Sequence, residues 1–127
     1  MAEKRRVLAV DDENDVLLIL RTALRDDYEV ETASSGREAL DKAEEHKPDV
    51  IILDLMMPEM DGMKVLEELR KSPENASTPV IFLTGVDDKK KIREALDKGT
   101  QYYITKPFHH HDLLNKVALV LREQATE

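Results

Sequence analysis

The chain has 127 residues, 41% of them hydrophobic, enough for one domain with a buried core. Its 19 Lys and Arg against 27 Asp and Glu give a formal net charge of −8, which argues against nonspecific nucleic-acid or anionic-membrane binding as the main task. No apolar stretch approaches the ~20 residues of a membrane span, and the N-terminus lacks a signal-peptide core. Cysteine is absent, which excludes disulfides and thiolate metal sites and carries no information on redox compartment; a soluble cytoplasmic protein is the default expectation.

Short apolar runs alternate with segments of helical period, which predicts repeated strand–helix units around a parallel sheet. Val7 to Val10 is the first strand and runs into Asp11-Asp12. A helix over 14–26 follows, with Val16, Ile19, Leu20, Ala23 and Leu24 as its apolar face. Glu29 to Ala33 alternates as a short outer strand, and Ser35-Gly36-Arg37-Glu38 fits a capping box before a helix that turns Ala39, Leu40 and Ala43 inward. Pro48 stops that helix and leads into a strand over 49–54, ending on Asp54.

The turn Met57-Pro58-Glu59-Met60-Asp61-Gly62 precedes a third helix with Val65, Leu66 and Leu69 inward. Ser72 to Thr78 reads as a polar loop, and the strand starting at Pro79 ends on Thr84. A helix over 87–98 presents Ile92, Ala95 and Leu96, with Gly99 as its terminator. Tyr103-Ile104-Thr105 leads to Lys106, and a last helix over 110–124 buries Leu113, Leu114, Val117, Ala118 and Leu121. One domain over 1–127, with a core of about 5–124, accounts for these elements.

Ligands of open α/β sheets bind at the carboxyl ends of the strands, so the residues closing these runs are expected to share one crevice. Asp11, Asp12 and Asp54 together would repel one another, and a hard divalent cation removes that cost. Mg²⁺ suits such a set better than calcium, which wants more protein oxygens, or zinc, which favours His and Cys. The hydroxyl of Thr84 and the ammonium of Lys106 suit the oxygens of a phosphoryl group. Each residue alone has a plainer reading, as a helix cap, a strand end or a solvated edge. The convergence of all of them is what points to phosphate chemistry.

Val10-Asp11-Asp12-Glu13, Asp54-Leu55-Met56-Met57-Pro58-Glu59-Met60-Asp61-Gly62, Thr84-Gly85 and Tyr103-Ile104-Thr105-Lys106-Pro107-Phe108 resemble the receiver domain of bacterial two-component response regulators. The resemblance covers essentially the whole chain and implies a (βα)5 flavodoxin-like fold, a three-layer sandwich around a five-stranded parallel sheet. It implies that Asp54 accepts a phosphoryl group from a phosphohistidine on a sensor histidine kinase or phosphotransfer protein. Asp11 and Asp12 match the acidic pair that, with Asp54 and the backbone carbonyl of Met56, holds Mg²⁺, for which Mn²⁺ can substitute. Lys106 matches the lysine that pairs with the acceptor, followed by a cis bond to Pro107. Thr84 and Tyr103 match the hydroxyl and aromatic residues of the switch.

The resemblance therefore implies a signalling protein that catalyses its own phosphorylation and dephosphorylation and then binds an output protein, without direct nucleic-acid or membrane contact. The expected state is a monomer, or a dimer once phosphorylated. Met56 and Val86 occupy family positions beside the path of hydrolytic water; both are apolar, which predicts slow self-dephosphorylation. A receiver cut from a larger regulator, or a phosphorelay intermediate, is the alternative, although no helix-turn-helix follows residue 124. A Mg²⁺-dependent phosphohydrolase is disfavoured because Met56 stands where haloacid-dehalogenase-type enzymes carry a second Asp. His109-His110-His111 is expected to be a solvated first turn, and Lys89-Lys90-Lys91 a solvated helix face.

Overall fold

The strands and helices alternate strictly in the computed structural model, which describes residues 4–85, 89–97 and 102–125. In chain order they are β1 (Arg6–Val10), α1 (Asn14–Leu24), β2 (Glu29–Ala33), α2 (Gly36–His46), β3 (Val50–Asp54), α3 (Gly62–Lys71), β4 (Val80–Gly85), α4 (Lys89–Asp97), β5 (Tyr102–Lys106) and α5 (His110–Ala125). All pairings are parallel, in the order β2-β1-β3-β4-β5. This is the expected flavodoxin-like arrangement. The expected end of the fourth helix, the terminator Gly99 and Val86 lie outside the described residues.

The central strands carry apolar side chains at nearly every position because both of their faces are covered. Leu8, Val10, Ile51, Leu53, Val80 and Phe82 point to one side and pack with Ala39, Ala43, Val65, Leu66, Leu69 and Ala95 from α2, α3 and α4. Val7, Ala9, Val50, Ile52, Ile81 and Leu83 point to the other and pack with α1 and α5 through Leu17, Leu20, Leu24, Leu113 and Val117. The two layers give each central strand a period of two in destination although most of its side chains are apolar.

That uniformity costs information in the helices. Val16 to Leu20 is apolar at every position, so spacing alone does not set the phase of α1. The expected face included Ile19, yet Ile19 is 54% exposed and Leu17 is buried in its place. The first helix also stops at Leu24, two residues short of expectation, where Tyr28 N–H bonds back to the Leu24 carbonyl. In α5 Val120 is buried, whereas Leu114 and Ala118 are half-buried. Leu96, expected inward on α4, is 46% exposed.

The turns are fixed by local chemistry. Ser35 Oγ accepts from the Glu38 N–H at 3.1 Å, and the Glu38 carboxylate accepts from the Ser34 N–H at 2.6 Å. The box therefore closes one residue earlier than the expected pairing, and that bond is the chief reason the Glu38 pKa is lowered. Asp61 caps α3 by accepting from the Lys64 N–H at 3.0 Å. The polar loop Ser72 to Thr78 buries Asn75 and Thr78, and Arg70 bonds to the carbonyls of both.

Candidate functional site at the carboxyl edge of the sheet

β1 and β3 are adjacent and in register, so Asp11 and Asp54 emerge side by side at the same edge. One carboxylate oxygen from each of Asp11, Asp12 and Asp54 lies within 4.8 Å of the others. Asp11 and Asp54 are buried and Asp12 is exposed. Asp11 Oδ1 accepts from the Glu13 N–H at 2.9 Å, and Asp54 Oδ1 accepts from the Met56 N–H at 3.1 Å. Each buried acid thus has one oxygen held by the backbone two residues on, which leaves its Oδ2 for other partners.

Lys106 arrives from β5, two strands from Asp54, where β5 pairs with β4 and Lys106 stands opposite Gly85. Its Nζ lies 2.8 Å from Asp11 Oδ2 and 3.5 Å from Asp54 Oδ2. The sequence comparison pairs this lysine with the acceptor, but here its nearer partner is Asp11. The peptide bond from Lys106 to Pro107 is cis.

Burial and then the charge of Asp11 push the Asp54 pKa up to about 7, against the pull of Lys106 and the Met56 N–H. Burial alone would lower the Lys106 pKa, but the two carboxylates outweigh it and the net direction is up. One ammonium for two buried acids leaves the edge short of positive charge. The acids offer only oxygen and crowd at one place, which fits a small hard cation.

Thr84 closes β4 beside this cluster, and its Oγ1 is buried with no hydrogen-bond partner among the described residues. A hydroxyl left in that state costs free energy that an incoming acceptor oxygen would recover. Tyr103 pairs with Phe82 across β4 and β5 and is 42% exposed. Thr84 and Tyr103 both line a narrow apolar seam under α4, shared with Phe82, Ile92 and Leu96.

The response regulator receiver domain model matches residues 7–118. The chain belongs to the response regulator receiver domain family. It is 40% identical over 119 residues to the alkaline phosphatase synthesis transcriptional regulatory protein PhoP of Bacillus subtilis, covering 93% of this chain and 49% of that protein. The chain spans about half the length of the curated relatives it matches. Its backbone is similar to that of the Vibrio cholerae chemotaxis protein CheY4, with a TM-score of 0.87, 37% identity and coverage of 93% and 99% of the two chains. A CheY-like receiver protein from Methanospirillum hungatei gives a TM-score of 0.89 at 31% identity, covering 98% of each chain.

Receiver domains are signalling modules controlled by phosphorylation, and response regulators work with histidine kinases or phosphotransfer proteins and with output domains. Among the described residues no helix is long and apolar enough to cross a membrane.

Two close glycine contacts near this edge were not legible in the sequence. Gly62 brings its backbone so close to β3 that an added Cβ would lie 2.6 Å from the Asp54 carbonyl oxygen and 2.9 Å from Leu55 Cα. The Asp-Gly pair signalled a turn; its close approach to the strand bearing Asp54 was hidden. Gly36, on α2, meets Met60 of the same loop in a comparable way.

Proposed function

We propose that Asp54 is the phosphoacceptor of a Mg²⁺-dependent receiver. The observation that carries this reading is one buried carboxylate ringed by two further acids, one ammonium and an unpartnered hydroxyl at a single sheet edge. The Asp54 carboxylate oxygen attacks phosphorus in line with the leaving group. The new O–P bond forms as the N–P bond of a kinase phosphohistidine breaks, or the O–P bond of acetyl phosphate. Asp11, Asp12, Asp54 and the backbone carbonyl of Met56 would hold Mg²⁺, or Mn²⁺ in its place, which supplies positive charge to the phosphoryl oxygens.

Lys106 sits between Asp11 and Asp54 and is placed to shift its ammonium from a carboxylate to a phosphoryl oxygen as charge accumulates there. The Thr84 hydroxyl donates to another of those oxygens, which ends its isolation. Moving that hydroxyl opens space in the seam it shares with Tyr103, and the aromatic ring follows inward. The phosphoryl group adds about −1.5 to −2 charge and three acceptor oxygens, so a local electrostatic change becomes a change of surface near β5 and α5. Self-dephosphorylation is slow because Met56, half exposed beside Asp54, offers water no hydrogen bond.

In this reading the chain is cytoplasmic, a monomer or, once phosphorylated, a dimer, and it reads a sensor histidine kinase or phosphotransfer protein and passes the state to an output protein by contact. The relatives offer two settings for such a module. CheY4 is matched over 99% of its length and PhoP over 49% of its own, so comparing this chain with its natural gene separates a stand-alone receiver from one feeding an attached output domain. Incubation with acetyl phosphate and Mg²⁺ should label the wild-type chain on Asp54. Asp54→Asn, or chelation of the metal, should abolish labelling. Undiminished labelling of the Asn variant would sink the assignment.

A further inference from the structure

We propose that Gly36 is a positioning residue for the acidic edge, because its missing side chain is the seat into which Met60 packs to hold the loop that follows Asp54. The loop over 55–61 is fixed at both ends of its reach. At its foot the Gly62 N–H bonds to the Leu55 carbonyl at 3.0 Å, and Gly62 lies against the Asp54–Leu55 backbone. At its tip Glu59 takes a φ of 66°, and Met60 N–H bonds to the Pro58 carbonyl at 2.7 Å, so the chain doubles back toward α2. Met60 there packs against the core that α2 and α3 share.

The seat leaves no spare room. A Cβ on Gly36 would lie 2.9 Å from Met60 Sδ and 3.0 Å from both Met60 Cβ and Cγ. A long flexible side chain normally swings its tip away from such a clash. The Met60 tip can swing away but its Cβ cannot, so the backbone of the loop or of the start of α2 has to give by a few tenths of an ångström. That loop carries Met56, whose N–H holds Asp54 Oδ1 and whose carbonyl is the proposed metal oxygen. Gly36 is otherwise an unfavoured choice for the first position of a helix already capped by Ser35.

The inference rests on the proposed metal and phosphoacceptor roles, and its test separates the two. Wild type, Gly36→Ala, Met60→Gly and the double variant form a cycle on the full chain. Each is read for Mg²⁺ affinity by NMR titration with the metal alone and for hydrogen exchange at the Met56 and Gly62 amides. Acetyl phosphate labelling and unfolding by urea are measured alongside. Alanine's better helix propensity makes Gly36→Ala neutral or stabilising if no seat exists. The seat predicts roughly three- to tenfold weaker Mg²⁺ binding in Gly36→Ala, a coupling usual for touching residues, and faster exchange at Met56.

The loss should shrink strongly in the Met60→Gly background, which removes the Cβ as well as the tip. Wild-type affinity and exchange in Gly36→Ala, or an equal loss with and without the Met60 side chain, overturns the proposal. If Gly36→Ala does not fold, a folded double variant supports the seat and an unfolded one overturns it. A wild-type chain that binds Mg²⁺ yet takes no label overturns the phosphoacceptor reading alone, since affinity and exchange are measured without a phosphodonor.

Discussion

At the end of α3, Arg70 donates from one guanidinium nitrogen to the carbonyls of Asn75 and Thr78, at 3.0 and 2.8 Å, while Thr78 Oγ1 donates to Asn75 Oδ1 at 3.2 Å. At the carboxyl edge of the sheet, Asp11 and Asp54 share one ammonium and Thr84 Oγ1 has no partner among the described residues. Both regions bury polar groups under elements of the same domain. In the first, donors and acceptors match and the loop is closed by its own contacts. In the second, the chain spends stability to hold like charges together, and the mismatch is what a cation and a phosphoryl group would resolve. Buried polarity marks a site where it is unbalanced, not simply where it is buried.

Removing the cation from each region should expose that difference. Lys106→Met leaves two buried acids facing each other and should cost about 3 kcal/mol at pH 8. Urea unfolding should show much of this loss recovered by millimolar Mg²⁺ or by lowering the pH to 5, where Asp54 takes up a proton. Arg70→Met removes two hydrogen bonds to carbonyls and should cost about 2 kcal/mol. That smaller loss should be the same at both pH values and with or without Mg²⁺. A metal-sensitive Arg70 variant, or a metal-insensitive Lys106 variant, would erase the distinction between the regions.

The two regions also differ in how far the sequence revealed them. The strand-end residues were legible because apolar runs that stop at Asp11, Asp54, Thr84 and Lys106 share an edge in any parallel sheet of this order. Their pairing was not: which acid Lys106 approaches depends on side-chain paths across β3 and β4. Ser72 to Thr78 read as a polar loop from its composition, and nothing in spacing announces that Asn75 and Thr78 are buried or that a guanidinium earlier in the chain bonds to their carbonyls. The phase of α1 was lost for the opposite reason. A run of five apolar residues from Val16 carries no contrast from which to choose a face, and packing in the core layer shared with the sheet and α5 selects Leu17 over Ile19.

Unfolding free energy of wild type and Asp54→Asn, measured with and without Mg²⁺ between pH 4 and pH 8, tests the unbalanced edge most directly. The folded pKa of Asp54 is raised from 3.8 to about 7, so across that window the folded chain keeps a proton that the unfolded chain has released. Stability of the metal-free wild type should therefore fall as pH rises from about 4 to 7 and level off above. Asp54→Asn should lack this fall and be more stable by about 1–3 kcal/mol at pH 8. Mg²⁺ should narrow the gap by stabilising the wild type. An Asn variant less stable than wild type at pH 8 without metal would contradict the account.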